Sequence, residues 1–207
     1  MLEHVPGWLG RALAGMRAGA DKLVIAGIAP GDGGTSIALS SPAFANGGRL
    51  PPRFTADGDG VSPPLVWGGP PPGTARMVLL VEDADAPTPQ PLVHAVVWGI
   101  APEAGRLAEG AIMRDGDGGA DGRDVGRNSF LGEGWLPPDP PTGHGEHRYV
   151  FQLFALSDGA GDPGQTPCRG DVVATMTGHV LAAGLLVGTY SRGEKATVAP
   201  AGRAAVA

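Results

Sequence analysis

The chain has 207 residues, with 42% hydrophobic, 17% charged, 36 glycines, 21 prolines and a formal net charge of -6. That hydrophobic share supports a core, the glycine and proline disfavour a helical bundle, and the negative balance argues against broad nucleic-acid binding, which needs a basic face. One cysteine, Cys168, leaves no internal disulfide and makes a thiolate metal cluster implausible.

The first six residues show no basic stretch running into an apolar one, so no secretory signal or lipobox is expected and the cytoplasm is the expected location. Residues 7–25 read as an amphipathic helix, with Leu9, Leu13, Met16, Ala20, Leu23 and Val24 on one stripe. Gly10, Gly15 and Gly19 weaken it, so it needs something to pack on. Its own domain or a second subunit, giving a homodimer, would serve. A membrane surface is the other option, given Trp8 and the basic residues. A linker-like break follows at 29–36. The expected organisation is an N-terminal extension over 1–35, one domain over 36–192 and a frayed tail over 193–207.

Within the domain, Ile37 and Leu39 suggest a first strand, and Leu65-Val66-Trp67 a short one. Met77 to Val81 is continuously apolar, as in a central strand buried on both faces. Leu92 to Trp98 is a second such strand, and simple alternation places His94 on the face of Val96 and Trp98. Residues 101–127 read as a long surface excursion, with an Asp/Gly run at 115–121 that lacks the closing glutamate of a calcium loop. Tyr149 to Leu156 is a third strong strand, fed by the stiff loop Pro138-Asp-Pro-Pro-Thr-Gly-His-Gly-Glu-His147. Asp171 is expected to cap a helix reaching Leu181 and ending near Gly184, before a last strand at 185–190.

Asp83, Asp85, His94 and His147 stand where strong strands begin or end. Together, two carboxylates would favour protonated imidazoles, and these with loop amides would hold an anionic group. The same four could instead hold a divalent metal with an open position for water, as in a metal-dependent hydrolase. No Gly-x-Ser-x-Gly elbow or glycine-rich phosphate loop is present, so no enzyme activity and no cofactor are expected.

The segments Asp83-Ala-Asp-Ala-Pro87, His94 and Pro140-Pro-Thr-Gly-His-Gly-Glu-His-Arg-Tyr149 resemble the two signature regions of the phosphatidylethanolamine-binding proteins, also called Raf kinase inhibitor-like. The spacing resembles the small bacterial branch, over roughly residues 37–192. Ser62 to Trp67, Gly126 to Phe130 and Gly188 to Tyr190 support it. The resemblance implies a mainly β fold: a large central sheet, a smaller sheet and few peripheral helices. It also implies a pocket for small anions such as phosphate-type head groups. Carried over by position, that pocket holds Asp83, Asp85, His94, Pro140, His147 and Tyr149. The expected function is non-enzymatic binding of such a group; the alternative is a regulatory module that engages a phosphorylated protein. The chain departs from the family pattern at Ala84, Ala95 and Gly134-Trp-Leu-Pro-Pro138.

Overall fold

The structure is a computed structural model that describes residues 6–28, 35–114 and 123–192. Its frame is a seven-stranded sheet. Three long strands make the centre: β5 (Arg76–Asp83), β6 (Leu92–Ile100) and β9 (His147–Leu156). β5 pairs antiparallel with both β6 and β9, and β9 pairs antiparallel with β10 (Val180–Tyr190). Along the other edge of β10 run two parallel pieces, β1 (Thr35–Ser36) and β3 (Gly48–Arg49). The far edge is β8 (Asp124–Val125), against β6. A three-stranded antiparallel sheet joins β2 (Leu39–Ser40), β4 (Leu65–Trp67) and β7 (Gly105–Leu107). The fold is thus mainly β, with one large and one small sheet, as expected.

The apolar run of β5 is buried on both faces because two different layers cover it. Met77, Leu79 and Val81 join Leu65, Trp67 and Phe151 in the core beneath the small sheet. Val78 and Leu80 point the other way, toward Val24, Val172 and Met176 of the helical layer. That layer holds α2 (Val24–Gly27) and α3 (Arg169–Met176); α1 (Gly7–Leu13) lies at the other end of the N-terminal segment.

Several boundaries differ from the sequence expectation. The stretch around Ile37 is not one strand: β1 and β2 belong to different sheets, and the chain changes sheet between them. The C-terminal helix starts at Arg169, with Asp171 in its first turn accepting the Cys168 amide at 2.9 Å. It stops at Thr177, because Gly178 turns the chain at φ 82°, and β10 is already under way by Val180. Gly184 is no helix stop; a Cβ there would come within 2.5 Å of the Ile37 carbonyl, so only glycine lets the segment between β1 and β2 lie so close. Residues 101–127 contribute β7, β8 and the buried Ile112 and Val125; the Asp/Gly run at 115–121 lies outside the described residues.

The single helix expected over 7–25 is broken. α1 ends at Leu13, a 3₁₀ turn spans Ala20–Lys22, and α2 is one turn long. Between them the amides of Ala18 and Gly19 donate to the carbonyls of Ala86 and Ala84, each at 2.9 Å. Backbone bonds to the domain replace those of a continuous helix, and Gly19 at φ 103° makes the bend. Leu23 and Val24 are buried, but Leu9 and Met16 are exposed. The segment docks on its own domain through backbone, charge and the far end of that stripe, Leu23 and Val24, while Leu9 and Met16 stay outside.

Candidate functional site

The site forms at one end of β5, β6 and β9, and it depends on an irregularity in β6. Val81 pairs with Ala95 and Glu82 with Val93, so His94 is an extra residue, a β-bulge. The bulge reverses the alternation. Val93 joins Val96 and Trp98 on the helical side, and His94 turns to the opposite face, edge-on to Tyr149 at 5.0 Å and 6.1 Å from Trp135. Simple period-2 alternation assigns His94 to the wrong face. Its Nδ1 donates to the Leu136 carbonyl at 2.6 Å, because a carbonyl can only accept. Its Nε2 is buried with no partner among the described residues.

Asp83 and His147 meet from neighbouring strands, with His147 Nδ1 at 2.8 Å from Asp83 Oδ2. The other oxygen of Asp83 accepts the Asp85 amide at 2.8 Å. The other nitrogen of His147 lies 2.7 Å from Nδ1 of His144, also buried. Tyr149 is fully buried, stacks on His147, and its hydroxyl has no partner among the described residues. Burial, then the charge of Asp83, raises the Tyr149 pKa well above 10.0, so the hydroxyl stays a donor.

Asp85 faces away from these groups. Its carboxylate takes Nε and Nη2 of Arg148 at 2.7 and 2.8 Å and pairs with Arg17 at 2.8 Å. Burial alone would raise its pKa, but these hydrogen bonds outweigh it and lower the value from 3.8 to about 2. A depressed carboxyl pKa stabilises the fold above pH 4 by on the order of 2 kcal/mol, and that gain disappears as pH falls toward 2. Arg17→Gln is therefore expected to move the acid-unfolding midpoint to higher pH in circular dichroism. An unchanged midpoint would show that Arg148 alone sets it.

A cavity of about 200 Å³ opens beside these residues. Asp83, His94 and His147 reach it, and Pro137, Pro140 and Pro141 form a rigid wall. Of the six positions expected to line the pocket, Asp83, His94, Pro140 and His147 do; Asp85 and Tyr149 stand behind them. The proline loop is pinned from outside: Arg192 pairs with Asp139 at 2.6 Å, and the Ala56 amide donates to the Pro138 carbonyl at 2.9 Å. Opposite stands Phe130, on a turn that Asn128 holds by accepting the Phe130 and Gly132 amides. Sequence reasoning missed Arg17, Asn128, His144 and Arg192 as site residues. His144 carried a signal, three positions before His147 on the same stiff loop, and Asn128 lay in the supporting segment Gly126 to Phe130; Arg17 and Arg192 carried none.

Burial lowers the pKa of His94 and the charge of Asp83 only opposes this, so the resting ring is neutral. The expectation that two carboxylates would hold the imidazoles protonated fails at His94, since Asp85 spends its charge on arginines. Nor do the four groups converge on a metal: among the described residues no group of three or more His, Cys, Asp or Glu side chains is placed to hold one. A larger, open depression of about 450 Å³ lies between residues 21–28 and α3, with no unpartnered buried side chain in it among the described residues.

The model of the phosphatidylethanolamine-binding protein family matches residues 40–191. The chain belongs to that family. A protein of Methanothermobacter thermautotrophicus named UPF0098 is 38% identical over 166 residues, 75% of this chain and 99% of its own length. An Aquifex aeolicus protein of the same name is 37% identical over 77% of this chain and 91% of its own. Two solved structures carry the family name. The phosphatidylethanolamine-binding protein homologue CT736 of Chlamydia trachomatis has a TM-score of 0.66 at 31% identity, over 76% of this chain and 98% of its own. YbcL of E. coli, a member of the mammalian family, scores 0.67 at 27% identity, over 76% and 99%. The N-terminal segment through Gly27 thus lies outside the family match yet touches the signature residues.

Proposed function

We propose that the cavity binds one small anionic group, such as phosphate or a phosphorylated head group, and that the protein works by binding and not by catalysis. Family membership supports a binding role; the ligand is read from the site. The observation that carries it is His94 Nε2, a buried nitrogen without a partner at a cavity walled by proline. Asp83 is matched by His147 and Asp139 by Arg192, so an anion entering meets no unmatched carboxylate there. It gains a charge-assisted hydrogen bond once His94 takes a proton. Phe130, 64% exposed at the mouth, favours a ligand with an apolar part beside the anion.

Binding therefore takes up a proton. The His94 pKa is depressed in the empty site, so anion affinity should weaken as pH rises from 6 to 8. Calorimetric titration with inorganic phosphate and with an alkyl phosphate tests this at both values. His94→Ala is expected to weaken binding by about 1.5–3 kcal/mol. Equal affinity at pH 6 and 8, or an alanine variant that binds like the wild type, would remove His94 from this role. Tighter binding of the alkyl phosphate would place its tail on Phe130. Among the described residues no helix is long and apolar enough to cross a membrane.

A further inference from the structure

We propose that residues 13–17, upstream of the family match, complete the site: the carbonyls of Leu13 and Met16 fix the tautomer of His144, and His144 thereby keeps His147 a donor at both ring nitrogens. The effect on affinity rests on the anion-binding reading above; the tautomer does not.

His144 Nε2 lies 2.9 Å from the Leu13 carbonyl and 3.1 Å from that of Met16. Carbonyl oxygens only accept, so this nitrogen carries the proton. Burial, then the charge of His147, keeps the His144 ring from taking a second one. Its Nδ1 is therefore a lone pair, aimed at His147 Nε2 at 2.7 Å. That contact needs one proton, which must come from His147. The far nitrogen of His147 donates to Asp83 at 2.8 Å. His147 thus bears two N–H groups and a positive ring charge, balanced by Asp83 on the cavity wall. The other ionisable groups around this row are Tyr149, stacked on His147, then His94, Arg148 beside Asp83, and Arg17 on the strap side.

The two carbonyls are held in place by the rest of the segment. Arg17 pairs with Asp85 and donates to the Glu146 carbonyl at 2.9 Å. The Ala18 and Gly19 amides bind across the first signature region. Gly10 lies so close to Thr142 that a Cβ would overlap the Thr142 carbonyl oxygen. Without the segment, His144 is free to move its proton to Nδ1. It would then donate to His147 Nε2, and the cavity wall would lose one positive charge.

The test uses the full chain. Nitrogen-15 NMR of the histidine rings should show His144 as the Nε2–H tautomer in the wild type. The double variant Gly10→Val with Ala18→Pro changes no cavity residue, evicts α1 from Thr142 and removes the bond to Ala86; there His144 should become a mixture of tautomers. Phosphate affinity at pH 7 should fall about tenfold in that variant and in His144→Phe, because the cavity wall loses the positive charge of His147 that balances Asp83. Gly69→Ala, at a position with nothing within 4 Å and outside the segment, should change neither reading. A wild-type His144 protonated at Nδ1, or a tautomer unchanged in the double variant, overturns the proposal. So does phosphate affinity that the double variant and His144→Phe both leave intact. If the wild type binds no phosphate but the tautomer locks and unlocks as stated, the anion reading falls and the role of residues 13–17 stands.

Discussion

Asp83→Ala is expected to lower the unfolding free energy by about 3–5 kcal/mol, the range for removing one partner of a buried ion pair, and to weaken phosphate binding at least tenfold. Asp83 and His147 have side chains 4% and 1% exposed, so water cannot replace the lost carboxylate. The substitution strands two donors at once, the His147 ring and the Asp85 amide. His147 opens β9 and Asp85 lies in the turn after β5, both at the end of the sheet that carries the site, so stability and binding should fall together. Urea unfolding with an unchanged slope reads the first, and calorimetry the second. Asp83→Asn is the sharper control: it keeps the size and one acceptor but offers an amide where only an acceptor fits. If Asp83→Ala is less than about 1 kcal/mol destabilised, the Asp83–His147 contact is not the anchor described.

Glu82→Ala is expected to cost a similar amount, about 3–5 kcal/mol, without touching the cavity. Glu82 is fully buried and faces the helical layer. It accepts Arg169 at 2.7 Å, Gln152 at 2.7 Å and the Val24 amide at 2.9 Å. Gln152 in turn takes the Ile25 amide, and Arg169 donates to the Lys22 carbonyl. One carboxylate thus ties α2, α3 and β9 together. Its loss should unfold the helical layer first, seen as faster amide exchange at Val24 and Ile25. Exchange there that stays as slow as in the wild type would show that apolar packing holds the layer alone.

These two carboxylates also show what the sequence carried and what it did not. Asp83 is visible because it ends a strong apolar run, the usual place for a site residue. Glu82, one step earlier, reads as an ordinary strand end, and nothing local says it will be buried. Its partners lie 58 to 87 positions away. The same holds for Arg17 and Arg192, which reach signature residues from far along the chain. The strands were legible from apolar runs and β-branched content, and the stiff loop from its prolines. Bulges were not: a one-residue slip at His94 depends on how β5 and β6 pair, which no single strand encodes. The N-terminal segment misled because its apolar spacing suits a helix, while its glycines and the accepting carbonyls of Ala84 and Ala86 favour an irregular strap.

The bulge at His94 has a bearing on how readily this site could be retuned. On a regular strand, each side chain belongs to one core face, and changing it disturbs the neighbours two positions away. His94 departs from that alternation: Val93, Val96 and Trp98 pack on one side, Ala95 and Val97 on the other, and the bulge turns His94 to the latter side beside Tyr149 and Trp135. A different polar group there would alter what the cavity accepts, together with the ring contacts to Tyr149 and Trp135, while Val93, Val96 and Trp98 keep the helical layer in place, so ligand preference can change at this residue without disturbing that layer.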